Sequence, residues 1–246
     1  MTQSADRPRA LQTFKQAIQL AKRAYSPLLL ISIVSSILIG LSAMDLELRP
    51  IPQHFLSISL LIAVILAIVG IFPIVLSFIF IASLHHHGNR CSWRFALKYC
   101  GRLFGRVLIG SIIIAIIVSI GFLLLIIPGI ILGTFLSIYL PILLFESKKS
   151  IGEAFKESFR RVKPYFWFTL RTILLGFAVF HLITLLIKAI FYLAGISLLV
   201  HVPYTPVPLS IFIPIVCHLF LSPFYLSIFM AIYFELTKQA KRKRME

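Results

Sequence analysis

Residues 107–145 read VLIGSIIIAIIVSIGFLLLIIPGIILGTFLSIYLPILLF, a run of 39 residues without a charged side chain. An α-helix rises about 1.5 Å per residue and the hydrocarbon core of a bilayer is about 30 Å thick, so about 20 apolar residues cross it once. The run is therefore about two spans long. Because Pro128 and Gly129 form a pair that favours turns, we expect two short spans joined there as a hairpin. The alternative is one long kinked helix, which would overshoot an ordinary bilayer.

Four further apolar runs flank this segment, at residues 25–44, 55–84, 166–199 and 209–234. The chain of 246 residues is 59% hydrophobic and 13% charged, which is far more apolar than a typical soluble domain. We therefore expect an all-α polytopic membrane protein with six transmembrane helices. They are expected to form three hairpins, each preceded by a cytoplasmic interfacial amphipathic helix.

The basic residues show how the chain is oriented. Lys and Arg number 24 against 8 Asp and Glu, and 22 of the 24 lie in residues 1–24, 85–106, 146–171 and 235–246. The connections at 45–54, 128–129 and 200–208 hold one cation, Arg49. The positive-inside rule then places both termini in the cytoplasm, as a basic segment (1–24) and a basic tail (235–246) around one membrane domain (25–234). The excess charge is topological, so no nucleic-acid partner is predicted.

Residues 151–162 have the periodicity of an amphipathic helix. Ser150 and Glu153 have the spacing of a capping box at its start. One face carries Ile151, Ala154, Phe155, Ser158, Phe159 and Val162. Residues 92–104 repeat this plan and residues 14–22 do so weakly, which indicates a triplicated unit at about 10–84, 92–145 and 150–234. The alternative is that amphipathic connectors resemble one another for local reasons.

Three serines support the same repeat. Each follows a helix breaker by four residues, with a leucine just before it, as the pairs Pro73/Ser77, Gly133/Ser137 and Pro223/Ser227 show. A hydroxyl at that distance can bond to the carbonyl left free by the break. We expect the three serines to lie at similar depth and to face the interior of the bundle.

The acidic residues argue against catalysis. All eight lie at predicted membrane edges or termini, so no paired carboxylates or buried acid are available within a span. The sequence predicts no enzymatic activity, no cofactor and no metal site.

A few polar residues do lie within predicted spans. His181, Thr184 and Lys188 share one helix face at i, i+3 and i+7, and His218 lies in the next span. With the three serines they make a candidate intramembrane polar site. The alternative is that Lys188 snorkels to the outer interface while the imidazoles bond to backbone carbonyls.

Aromatic and basic residues gather at the predicted cytoplasmic boundary, where they favour anionic phospholipids as partners. The candidate headgroup contacts are Trp93, Lys98, Arg102, Lys156, Arg160, Arg161 and Lys163. The function predicted from this pattern is lipid interaction or scaffolding in the membrane. The alternative is a small permease or channel with its path among the broken helices.

Two motifs carry a family resemblance. Residues 121–133, GFLLLIIPGIILG, and residues 150–158, SIGEAFKES, resemble a family of uncharacterised bacterial six-span membrane proteins. That family is related to the membrane domain of some glycerophosphodiester phosphodiesterases. The match covers about residues 115–170 and is topological elsewhere. It implies a bacterial cytoplasmic (inner) membrane address and an envelope or lipid-related role, and it supplies no catalytic residues because catalysis there belongs to a separate barrel.

Overall fold

A computed structural model describes residues 8–47, 71–83, 92–146, 149–193 and 209–245. These residues are almost entirely helical and contain no strand. The elements are α1 (Ala10–Glu47), α2 (Ile71–Ser83), α3 (Trp93–Leu124), α4 (Ile126–Leu136), α5 (Tyr139–Phe145), α6 (Ile151–Val162), a 3₁₀ turn (Lys163–Tyr165), α7 (Phe166–Leu193) and α8 (Leu209–Met245).

Three stretches within the described residues are long and apolar enough to cross a membrane. They are Trp93–Leu124, Ile126–Phe145 and Ile151–Ile187, and the apolar part of the last begins at Phe166, after the charges of α6. The prediction of an all-helical chain with membrane-spanning helices is confirmed in this form. The first and last predicted spans fall in α1 and α8, and most of the second lies outside the described residues.

The long apolar run is broken at Leu125, three residues before the predicted turn. Leu125 is extended, with φ −168° and ψ 150°, and α4 begins directly after it. Pro128 is tolerated in the first turn of α4 because the N–H that proline lacks has no helical acceptor there.

The chain reverses direction at this break, so that α4 and α5 pack against α3. Gly121 lies so close to Gly129 that an added Cβ would stand 3.1 Å from the Gly129 Cα, and further along the pair Gly110 leaves room for the Tyr139 ring. The earlier glycine of α3, Gly110, contacts the later residue, Tyr139, and the later glycine, Gly121, contacts the earlier residue, Gly129. The two segments are therefore antiparallel. Glycine is needed at residue 121 because the neighbouring backbone cannot give way.

Of the three predicted amphipathic segments, which all lie in the described part of the chain, one forms a separate helix, and this differs from the predicted plan. The 3₁₀ turn containing Pro164 separates α6 from α7, whereas α1 and α3 continue without interruption from their basic ends into their apolar parts. Helix α8 likewise runs past Phe234 into the basic tail. In α3, residues 104–107 contain no proline, so the hydrogen-bond ladder continues, whereas α1 continues although Pro27 lies within it.

The two ends of the chain pack together. Ser32 of α1 and Ser222 of α8 approach to 2.7 Å between their Oγ atoms, and the α1–α8 pair is antiparallel because earlier residues of α1 lie beside later residues of α8. Three buried alanines line α1, at positions 17, 21 and 24, and allow this close approach. Helix α7 packs against both α1 and α8.

Candidate functional site

The amphipathic helix α6 begins with the predicted capping box. The Glu153 N–H donates to Ser150 Oγ at 3.3 Å, and the Ser150 N–H donates to Glu153 Oε2 at 2.6 Å. The pKa of the Glu153 carboxyl is lowered, chiefly because it accepts the backbone hydrogen bond from Ser150. The predicted start of the helix is therefore confirmed.

The apolar face of α6 packs against α4 and α5. Ala154, Ser158 and Val162 are buried, as the periodicity predicts. The Ser158 hydroxyl donates to the carbonyl of Phe135 at 2.6 Å, and the Phe159 ring stacks on the Phe135 ring with centroids 4.2 Å apart. On α5, Tyr139 contacts Phe155, with ring centroids 4.4 Å apart. The helix is thus held on a surface made by α4 and α5.

A buried ion-pair network fixes the other edge of α6. The guanidinium of Arg161, whose side chain is 9% exposed, lies 2.6 Å from a Glu157 oxygen and 2.8 Å from a Glu146 oxygen. It also donates to Thr237 of α8 at 3.1 Å. Arg161 therefore ties α6 to the segment before it and to the carboxyl-terminal half of the chain.

Glu157 is the most buried carboxylate of this network, with a side chain 8% exposed. Lys149 and Arg160 also approach it, at 3.5 and 2.6 Å. Burial alone would raise the pKa of the Glu157 carboxyl, but the hydrogen bonds from Arg161 and Arg160 outweigh it, so the pKa is lowered. Glu157 is thus held in its charged form by its neighbours.

This network was not predicted, and one signal for it was present in the sequence. Glu157 and Arg161 have the i, i+4 spacing of a helical ion pair. The sequence grouped Arg161 with the headgroup contacts, whereas its guanidinium has protein partners on three sides. The i, i+4 spacing could have identified the pair, but not its burial.

The other candidate headgroup residues are open to their surroundings. Lys156 and Arg160 of α6 and Lys163, which directly follows it, are exposed, and the Arg160 side chain remains 65% exposed despite its contact with Glu157. On α3, Trp93, Lys98 and Arg102 are exposed as well. We call Lys156, Arg160 and Lys163 the basic surface of α6.

The three serines of the predicted repeat do not behave alike. Ser77 and Ser227 are buried, and each donates to the carbonyl of the proline four residues earlier at 2.8 Å, as predicted. The prediction is wrong for Ser137, because its Oγ is buried without a hydrogen-bond partner. Helix α4 ends at Leu136, and the Ser137 N–H donates to the Thr134 carbonyl at 3.3 Å, so Ser137 lies at the end of the helix rather than within its i, i−4 ladder. Thr134 makes such a bond instead, to the carbonyl of Ile130 at 2.8 Å.

The remaining intramembrane candidates lie on α7 and α8. His181 is exposed on α7, next to the rings of Phe177 and Phe180, and the Thr184 hydroxyl donates to the Phe180 carbonyl at 3.0 Å. The side chains of Lys188 and His218 lie outside the described part of the structure. Within the described residues, no group of three or more His, Cys, Asp or Glu side chains could hold a metal ion.

A polar cleft of about 880 Å³ lies beside the Arg161 network. It is bounded by the basic half of α1 and the end of α8, with Glu146 and Arg161 on its lining. A second cavity, of about 340 Å³, has an almost wholly apolar lining from α1, α7 and α8. Neither cavity is lined by Pro73, Gly133 or Pro223.

Comparison with known proteins identifies no relative. No protein-family model, curated protein or solved structure matches this chain. The resemblance to the membrane domain of the glycerophosphodiester phosphodiesterases stays a prediction.

Proposed function

We propose that this protein is a multi-pass protein of the bacterial cytoplasmic membrane that binds anionic phospholipid headgroups through the basic surface of α6. It has six spans, both termini are cytoplasmic, and it acts in lipid interaction or scaffolding rather than in catalysis. The distribution of cations along the chain supports this orientation.

The observation that carries the proposal is the way α6 is held. One side of the helix packs on α4 and α5, and its start and its end are fixed by the capping box and by Arg161. Lys156, Arg160 and Lys163 remain exposed. A helix held rigidly at the edge of the apolar segments, with its cations outward, suits a negatively charged headgroup layer, where each cation is worth about 1 kcal/mol.

The serine contacts favour this function over a permease. Ser77 and Ser227 each satisfy a carbonyl of their own helix, so they supply no free hydroxyl to a shared path. Gly133 and Pro223 lie inside the continuous helices α4 and α8, and Pro73, Gly133 and Pro223 meet at neither described cavity. A transport site built on unwound helices would need such a meeting point.

The test replaces Lys156, Arg160 and Lys163 together by glutamine and measures co-purifying lipids by mass spectrometry. Three cations are worth about 3 kcal/mol, so affinity for phosphatidylglycerol should fall about 100-fold. The matched control exchanges Lys for Arg and Arg for Lys at the same positions and should keep the wild-type lipids. If the glutamine variant also keeps the wild-type lipids, the basic surface of α6 does not bind lipid headgroups, and its cations only orient the chain in the membrane.

A further inference from the structure

The cleft between α1 and α8 carries charge that the protein does not neutralise. Arg23 of α1 and Lys238 and Lys241 of α8 line it, and all three side chains are exposed. None of the three makes a hydrogen bond or ion pair with another residue in the described part of the chain. The cleft thus presents three cations from two helices to whatever enters it.

The acidic residues of the cleft do not balance these cations. Glu146 is engaged by Arg161 and by Lys149, at 2.8 and 2.6 Å. Glu235 accepts a hydrogen bond from the Gln239 amide at 2.9 Å, and among the described residues of the lining it is the other carboxylate. The local charge therefore favours an anion.

The lining also offers neutral hydrogen-bonding groups. Gln16 and Gln19 lie on the same side of α1 as Arg23, and both line the cleft. Amides of this kind can bond to hydroxyl or ester oxygens, while a guanidinium can bind two phosphate oxygens at once. A volume of about 880 Å³ falls within the range of small-molecule sites.

The walls of the cleft are preorganised. Ser32 of α1 and Ser222 of α8 approach to 2.7 Å between their Oγ atoms, and Arg161, on the cleft lining, donates to Thr237 of α8. Because these contacts already fix both helices, a ligand would not have to order them.

We propose that this cleft is a binding site for a phosphate group, as a monoester or diester, held by Arg23, Lys238 and Lys241. The group comes from a phospholipid headgroup or from a soluble organophosphate such as a glycerol phosphate. The site uses none of the residues of the basic surface of α6, so a test of phosphate binding in the cleft is independent of a test of the proposed function.

The test uses the full-length protein with two probes. Titration calorimetry in detergent with sn-glycerol 3-phosphate reports a soluble ligand, and binding of fluorescent phosphatidylglycerol in phosphatidylcholine nanodiscs reports a headgroup. Binding of either probe that depends on the cleft supports the site, and the probe that binds identifies the source. If the wild-type protein binds neither probe, the proposal is overturned.

Matched variants separate the cleft from general surface charge. Replacing Arg23, Lys238 and Lys241 by glutamine should weaken binding at least tenfold. Replacing Lys15, Lys22 and Arg242 by glutamine removes the same charge from exposed positions of the same helices outside the cleft lining, and should change affinity less than twofold. Equal losses in the two variants would overturn the proposal.

A third variant is expected to bind more tightly, which misfolding could not mimic. Glu235→Gln removes a carboxylate from the lining of the same cleft and should increase affinity severalfold. Unchanged or weaker binding by Glu235→Gln would contradict a phosphate bound at this place.

Discussion

Replacement of Arg161 by alanine is expected to lower the free energy of unfolding by about 2–3 kcal/mol, which is less than the loss for a buried charge left without any counterion. The reason is that Glu157, with a side chain 8% exposed, and Glu146 would lose their most buried partner and keep only Lys149 and the exposed Arg160. The contact between α6 and Thr237 of α8 would be lost as well. Thermal or denaturant unfolding in one fixed detergent measures the change.

The neighbouring arginine provides the control. Arg160 also contacts Glu157 at 2.6 Å, but its side chain is 65% exposed, so Arg160→Ala should cost less than about 1 kcal/mol. The hydrogen bonds from Arg161 and Arg160 lower the pKa of the Glu157 carboxyl. The contribution of these ion pairs to the free energy of unfolding is therefore complete above the ordinary carboxyl pKa of 4.5, and it is lost as the pH falls through the lowered pKa. Equal effects of the two alanine variants would mean that the Arg161 network is no stronger than a surface ion pair.

Replacement of both Phe155 and Phe159 by aspartate should cost about 3–5 kcal/mol. A buried ring is worth about 1.5–3 kcal/mol, and the new carboxylates would enter an apolar contact with α4 and α5. Phe155 should account for more of the loss, since Phe159 is already 40% exposed. The measurement is the same unfolding transition.

Lys156→Asp is the matched control for this pair. It introduces the same side chain next to Phe155, on the exposed side of α6, and should change stability by less than about 1 kcal/mol. A loss as large as that of the double variant would contradict the packing of α6 on the α4–α5 surface.

The sequence predicted best what depends on local periodicity. The start of α6 at Ser150 and its buried residues Ala154, Ser158 and Val162 follow from capping chemistry and a 3.6-residue repeat. The hydrogen bonds of Ser77 and Ser227 follow from the i, i−4 spacing at which a serine hydroxyl in a helix reaches a backbone carbonyl.

What depends on distant parts of the chain could not be predicted in the same way. The burial of Arg161 requires Thr237, 76 residues further along, and the cleft requires that α1 and α8 lie side by side. The turn was predicted at Pro128 and Gly129, whereas the helix is broken at Leu125. The reason is local, because Pro128 is equally compatible with a turn and with the first turn of a helix.

Cysteine labelling at residues 159 and 160 in intact membranes tests most directly the claim that α6 lies on the headgroup layer. The protein alone leaves both positions accessible, since Phe159 is 40% exposed and the Arg160 side chain 65% exposed. The account predicts that a membrane-impermeant maleimide, applied from the cytoplasmic side, labels residue 160 and leaves residue 159 protected by lipid. Equal labelling at the two positions would contradict a membrane-bound α6.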